Sequence, residues 1–133
     1  MSDQAIILFA HGARDPEWAA PFVAIQKQLQ AARPDALVLA AFQEFMPPTL
    51  EAAVAQSVER GAERVVVVPL FLGQGSHVKR DLPLLLAQER RRHPRLELQL
   101  LPALGDAPEI LQAIAGWVLR AANTGIPGAG AKR

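Results

Sequence analysis

The chain contains no cysteine. That absence excludes disulfides, thiolate zinc sites and cysteine nucleophiles together, and leaves histidine, carboxylate and backbone oxygen as the donors for any bound metal. Charge of one sign is missing too: 14 Lys and Arg against 13 Asp and Glu leave a formal charge of +1. A surface of that kind lacks the field that supplies nonspecific affinity for nucleic acid, so no nucleic-acid partner is expected. No apolar run approaches the roughly 20 residues of a membrane span, and no basic stretch precedes the first apolar run. A cytoplasmic location with no membrane partner is therefore the expectation.

What is present is the material for one core. Hydrophobic residues make up 50% of the 133 and charged residues 20%, and a chain of this length buries roughly two-thirds of its unfolded surface on folding. One domain over residues 1–123 is expected, with a small-residue tail over 124–133 too poor in packing groups to be ordered. Short unbroken apolar runs at 5–10, 36–42 and 65–68 predict strands buried on both faces, the last with four consecutive valines. An alternating pattern over 96–100 predicts a fourth strand with one wetter face. Between and after them, helical spacing appears at Trp18, Phe22, Ile25 and Leu29, at Leu50, Val54 and Val58, over Leu82 to His93, and at Ile110, Ile114, Trp117 and Val118. Strands alternating with helices predict an α/β fold: three layers, a four-stranded parallel sheet flanked by helices.

Ligands of such sheets bind beyond the carboxyl ends of the strands, and that is where the polar residues gather. His11, Gly12, Arg14 and Asp15 follow the first strand. Gln43 and Glu44 follow the second. Gln74, Ser76, His77, Lys79, Arg80 and Asp81 follow the third. Two imidazoles and a carboxylate suit a borderline divalent ion, and imidazole also takes up protons near neutrality. His11 and His77 are thus the candidate ligands and bases, with Glu44 as third ligand or proton relay. Asp81, four residues past His77, reads equally as a partner orienting that imidazole and as a helix cap before Pro83. Gly12, Gly73 and Gly75 would let backbone approach a large flat ligand. His93 and the Arg90-Arg91-Arg92 run are read as a helix end favourable to the macrodipole, and Trp18 and Trp117 as core or interface residues.

Three segments carry a resemblance: Phe9-Ala10-His11-Gly12-Ala13-Arg14-Asp15-Pro16, Phe42-Gln43-Glu44-Phe45-Met46-Pro47-Pro48, and the run from Val67 through His77-Val78-Lys79-Arg80-Asp81-Leu82 to Pro83. In order and spacing they resemble the small sirohydrochlorin cobaltochelatase family up to about Asn123. The resemblance implies a chelatase-like, flavodoxin-related fold. It also implies ATP-independent insertion of a divalent metal, Co²⁺ or Fe²⁺ with Ni²⁺ a further possibility, into sirohydrochlorin for cobalamin or sirohaem synthesis. No permanent cofactor is implied, the metal being a substrate held at His11 and His77. Insertion removes two pyrrole protons while the ion reaches the same nitrogens, so groups that are both ligand and base suit it. Arg14, Gly75, Ser76 and Lys79 are the candidates for holding the tetrapyrrole. Because longer relatives carry two such domains, a homodimer is implied. Ala13 stands where relatives often have serine.

Two other functional classes share parts of this pattern. A noncatalytic carrier of metal or tetrapyrrole requires the same ligands and differs only in turnover. Phosphoryl transfer of the histidine-phosphatase type requires an arginine immediately before the histidine, and Ala10 breaks that signature. No G-x-S-x-G elbow or Gly-Lys-Ser/Thr phosphate loop occurs.

Overall fold

Four strands, Gln4–Ala10 (β1), Leu37–Phe42 (β2), Arg64–Pro69 (β3) and Glu97–Leu100 (β4), form one parallel sheet in the order β2-β1-β3-β4. The computed structural model describes residues 3–73 and 75–124, with the side chains of Ser76 and His77 outside that description. Helices Ala20–Ala32 (α1), Leu50–Glu59 (α2), Ser76–Arg92 (α3) and Pro108–Thr124 (α4) alternate with the strands. The α/β fold with a parallel sheet flanked by helices is as the sequence pattern predicts. Helix α4 runs one residue into the expected tail, and 125–133 lie outside the described residues.

The main core cluster fills one face of the sheet, with Leu8, Ala10, Val38 and Phe42 buried on the other. Ala5, Ile7 and Phe9 of β1, Ala41 of β2, Val65 and Val67 of β3 and Leu98 of β4 share the first face by the two-residue alternation of a strand. They meet Leu50, Ala53 and Val54 of α2 and Val78, Leu82 and Leu86 of α3. The alternation expected of β4 is present, Leu98 being buried while Glu97 and Gln99 are exposed. Helix α1 lies over the opposite face at β2, where the Trp18 ring meets Phe42 at 6.4 Å.

Both outer strands have backbone groups that no neighbouring strand can satisfy, and side chains take that role. On β2, the Val38 carbonyl accepts from Gln26 Nε2 at 2.9 Å and the Val38 amide donates to Gln30 Oε1 at 3.2 Å. On β4, Arg90 Nη2 donates to the Leu98 carbonyl at 2.9 Å. Arg92 pairs with the buried Glu89 and with Glu51. The arginine run therefore does more than solvate a helix end: two of its three members tie α3 to its surroundings.

Two helices start elsewhere than their apolar spacing predicts. The first opens as a 3-10 turn, Pro16–Ala19, before α1. Pro21 has no amide hydrogen to give to the Glu17 carbonyl, so an α-helical ladder cannot run through it, and the Ala20 amide takes that carbonyl instead. Helix α3 begins at Ser76, six residues ahead of the expected Leu82. Pro83 sits inside α3 as its eighth residue rather than opening it, forgoing the hydrogen bond that an amide there would give to the Lys79 carbonyl. Asp81 is consequently an interior helix residue; Gly75 holds the capping position.

Candidate functional site

His11 is the first residue past β1, a central strand, so the loops after β2 and β3 flank it on either side. The loop after β2 is fastened to it by main chain: the Gln43 amide donates to the Ala10 carbonyl at 2.9 Å and the Glu44 amide to the His11 carbonyl at 3.0 Å. That loop folds back through the Phe42 amide donating to the Pro48 carbonyl at 2.8 Å, with Phe45 in the left-handed region at φ 73°. Gly12 lets the two loops meet. Its φ is +90°, and a Cβ there would stand 1.9 Å from the Glu44 carbonyl oxygen. From the β3 side, Leu70 donates to the Phe9 carbonyl at 2.8 Å, which carries the buried Phe71 ring under His11 with centroids 4.3 Å apart.

The imidazole is thereby held from two directions. Its Nδ1 lies 3.1 Å from Gln43 Oε1. A carbonyl oxygen can only accept, so the tautomer that fits this contact has its hydrogen on Nδ1 and a lone pair on Nε2. The ring itself is exposed at the edge of the sheet.

The remaining predicted residues fall as follows. The Glu44 side chain is exposed, and its main chain is bolted to His11. The Arg14 guanidinium stacks over the Phe45 ring, 5.0 Å from its centroid. Asp15 accepts from the Glu17 amide at 3.0 Å and so caps the 3-10 turn rather than facing the site. Gly75 caps α3 with extended backbone, φ −70° and ψ 160°, and nothing within 4 Å of where a Cβ would be. Lys79 lines a small cavity of about 180 Å³ at the carboxyl ends of β3 and β4. The backbone of residues 76 and 77 forms the first turn of α3, and the Ser76 and His77 side chains lie outside the described residues. The helix is continuous from 77 to 81, which is the spacing at which two side chains share a helix face. Among the described residues no group of three or more histidines and carboxylates is gathered for a metal.

Three residues escaped the sequence reading. Phe71 supports His11 from below. Phe45 and Leu72, which are 55% and 59% exposed, put large apolar side chains on the loops either side of it. The signal was available in an apolar run continuing past the strand end, but in sequence such a run is indistinguishable from core. A larger cavity, about 330 Å³, opens at the opposite, amino end of the sheet beside His93 and Arg95. It contains none of the predicted site residues.

A family model described as CbiX matches residues 5–121. A sirohydrochlorin cobaltochelatase of Methanocaldococcus jannaschii is 34% identical over 90 residues, covering 68% of this chain and 63% of that protein. One of Saccharolobus islandicus is 41% identical over 81 residues, covering 61% and 62%. The chain thus spans a little over three-fifths of the length of these curated relatives. Among solved structures, a cobalamin (vitamin B12) biosynthesis CbiX protein of Marinobacter aquaeolei VT8 superposes with a TM-score of 0.77 at 28% identity, covering 90% of this chain and 98% of that one. The sirohydrochlorin chelatase SirB of Bacillus subtilis subspecies spizizenii, in complex with cobalt, gives 0.73 at 27%, covering 90% and 51%.

Proposed function

We propose, from the premise that this chain belongs to the CbiX family, that it inserts a divalent metal ion into sirohydrochlorin without ATP. The observation that carries the reading is the state of His11. A ring gripped at Nδ1 by Gln43 and backed by Phe71, on the carboxyl edge of the sheet, offers Nε2 as ligand or base without further rearrangement. Curated relatives named sirohydrochlorin cobaltochelatase, and a similar chelatase solved with cobalt, support the substrate pair. SirB of Bacillus subtilis has also been solved with Fe³⁺, with a TM-score of 0.73 at 27% identity over 96% of this chain and 49% of that one.

In the reaction, M²⁺ and the free tetrapyrrole give the metallated ring and two protons. His11 and His77 act as ligands to the arriving ion and as bases for the pyrrole protons, and Glu44 serves as a third ligand or carries protons to solvent. The exposed Phe45 and Leu72 offer apolar contact to the macrocycle. Arg14, Lys79 and the amides of the α3 first turn, which has no acidic residue and no side-chain cap, suit its peripheral carboxylates. No permanent cofactor is invoked. Among the described residues no helix is long and apolar enough to cross a membrane; a cytoplasmic homodimer is part of the same proposal.

The test is turnover. Protein at catalytic concentration, given sirohydrochlorin with Co²⁺, Fe²⁺ or Ni²⁺, should yield many equivalents of metallated product by absorbance, whereas uptake that stops at one equivalent would identify a carrier. His11→Ala and His77→Ala should each slow the reaction at least about 100-fold, the scale of a lost acid–base group, with the far-UV spectrum unchanged. Near-normal rates in both would overturn the mechanism.

A further inference from the structure

We infer that Phe45 and Arg14 form one recognition unit for the tetrapyrrole: one face of the Phe45 ring stacks on the macrocycle, while the Arg14 guanidinium over the other face takes a carboxylate at the macrocycle's rim. This rests on the function proposed above and narrows it to a ligand whose conjugated face and acidic edge are recognised together.

Phe45 is held in a conformation that its own side chain opposes. Its φ is 73°, and among the described residues it is the only residue other than glycine with a positive φ. There the Cβ of an L residue crowds the following carbonyl oxygen, and glycine or asparagine would hold the same turn with less strain. The turn has no freedom to relax. Just before it, the Gln43 and Glu44 amides are bonded to the Ala10 and His11 carbonyls, and the Phe42 amide reaches across it to the Pro48 carbonyl. Strain that the surroundings enforce and the residue type opposes marks a side chain wanted in one place.

Packing gives no reason for the ring. Phe9, Phe42 and Phe71 are buried and Phe22 packs on Trp18, with centroids 4.7 Å apart. Phe45 is 55% exposed and stands outside the core cluster. What it meets is Arg14, whose guanidinium carbon is 5.0 Å from the ring centroid, within the range of a cation–π contact. Arg14 is itself exposed, and no carboxylate among the described residues pairs with it. The ring thus steadies a planar fork of donors whose hydrogen bonds are unspent, and such a fork binds a carboxylate through two parallel bonds.

Position ties the pair to the reaction. Arg14 follows His11 by three residues, and Phe45 follows Glu44, whose amide is bonded to the His11 carbonyl at 3.0 Å. Ring and guanidinium therefore stand at a fixed offset from the imidazole, on the side of the β2 loop. Neither group can ligate a metal ion. An apolar ring beside a free cation suits a flat anionic ligand, so the unit serves the macrocycle and not the ion.

The test separates the two substrates. Metal-free sirohydrochlorin is titrated into the full chain and followed by its absorbance, and Co²⁺ is titrated separately by calorimetry. Phe45→Gly and Phe45→Leu, which keeps an apolar side chain without a ring, should each weaken tetrapyrrole binding at least about 10-fold, the scale of one lost aromatic stack. Their Co²⁺ affinity should be unchanged, and Phe45→Trp should restore tetrapyrrole binding. Arg14→Lys keeps the charge but loses the fork, and should weaken binding about 10-fold as well. In turnover these changes should raise KM and leave kcat in place. Phe45→Gly should hold or raise the urea midpoint, since relief of the left-handed backbone offsets the greater freedom of glycine when unfolded.

Unchanged tetrapyrrole affinity in Phe45→Gly and Phe45→Leu would overturn the assignment. So would a loss of Co²⁺ affinity, or of kcat in place of KM, which would mean that Phe45 acts by positioning His11. A urea midpoint lowered by more than about 0.5 M would show that the ring serves the fold and refute the unit equally. A ring that contacts a second copy would weaken association in sedimentation and leave tetrapyrrole binding intact, again refuting it. A chain that binds sirohydrochlorin without turnover fails as a chelatase yet still requires the losses at Phe45; a chain that takes up none refutes both.

Discussion

Gly12→Ala puts the construction of the site to its sharpest test. The residue has φ +90°, where an L side chain costs about 1–2 kcal/mol. The added methyl would also stand 1.9 Å from the Glu44 carbonyl oxygen, an atom of the main chain that no rotamer change can remove. Relief requires the loops after β1 and β2 to part, at the expense of the Glu44–His11 and Gln43–Ala10 backbone hydrogen bonds, each contributing about 1 kcal/mol. Together these set the loss of stability at about 3–4 kcal/mol, a large share of the roughly 5–15 kcal/mol available to a domain. In a urea titration followed by far-UV circular dichroism, the midpoint should fall by roughly 1.5–2 M, taking a slope of about 2 kcal/mol per M. Gly73→Ala is the control: nothing lies within 4 Å of its would-be Cβ, and its effect should stay within about 0.5 kcal/mol. A Gly12→Ala protein that loses less than about 1 kcal/mol, or a Gly73→Ala protein that matches it, would refute the reasoning.

Three further outcomes are expected. Gln43→Leu removes the acceptor that orients His11 and should weaken Co²⁺ binding roughly 10- to 100-fold by calorimetry; an unchanged affinity would show that the imidazole orients without it. Thr49→Ala removes the hydroxyl that accepts from the Ala52 amide at 3.1 Å to start α2 and should lower stability by about 1 kcal/mol in the same urea assay, a null effect counting against the cap. A hydrogen bond from Arg33 holds the Asp35 carboxyl below its ordinary value. Its contribution to stability is therefore present above the unfolded-state pKa and is lost as pH falls through the folded-state one. In Arg33→Ala the Asp35 titration seen by NMR should move upward, and identical curves would contradict the assignment.

Only part of the site was legible in the residues. That His11, Glu44 and Lys79 lie on the segments that follow β1, β2 and β3 was legible from one topological rule, because apolar runs and their polar interruptions are local features. The grip of Gln43 on His11 was not, since it joins residues 32 apart and depends on which way two side chains turn. Gly12 was read as room for a ligand; the structure gives that room to the Glu44 carbonyl. Asp15 and Asp81 were each open to a capping reading, and only the structure separates them. Each has a short side chain one or two residues before a proline, and whether it caps a turn, as Asp15 does, or rides within a helix, as Asp81 does, depends on where the hydrogen-bond ladder begins.

The sequence by itself determined the α/β fold, through periods of two and of three to four residues that only strands and helices can turn to one face. Tertiary structure alone decided which backbone atoms come within contact of one another, and so why Gly12 is glycine. It also decided which apolar faces find cover within the chain. Helices α3 and α4 both have the spacing of packed helices, yet α3 buries Leu82 and Leu86 while no side chain of α4 is fully buried. Amphipathic spacing records that a face needs a partner; the path of the chain in space decides whether the molecule already contains one.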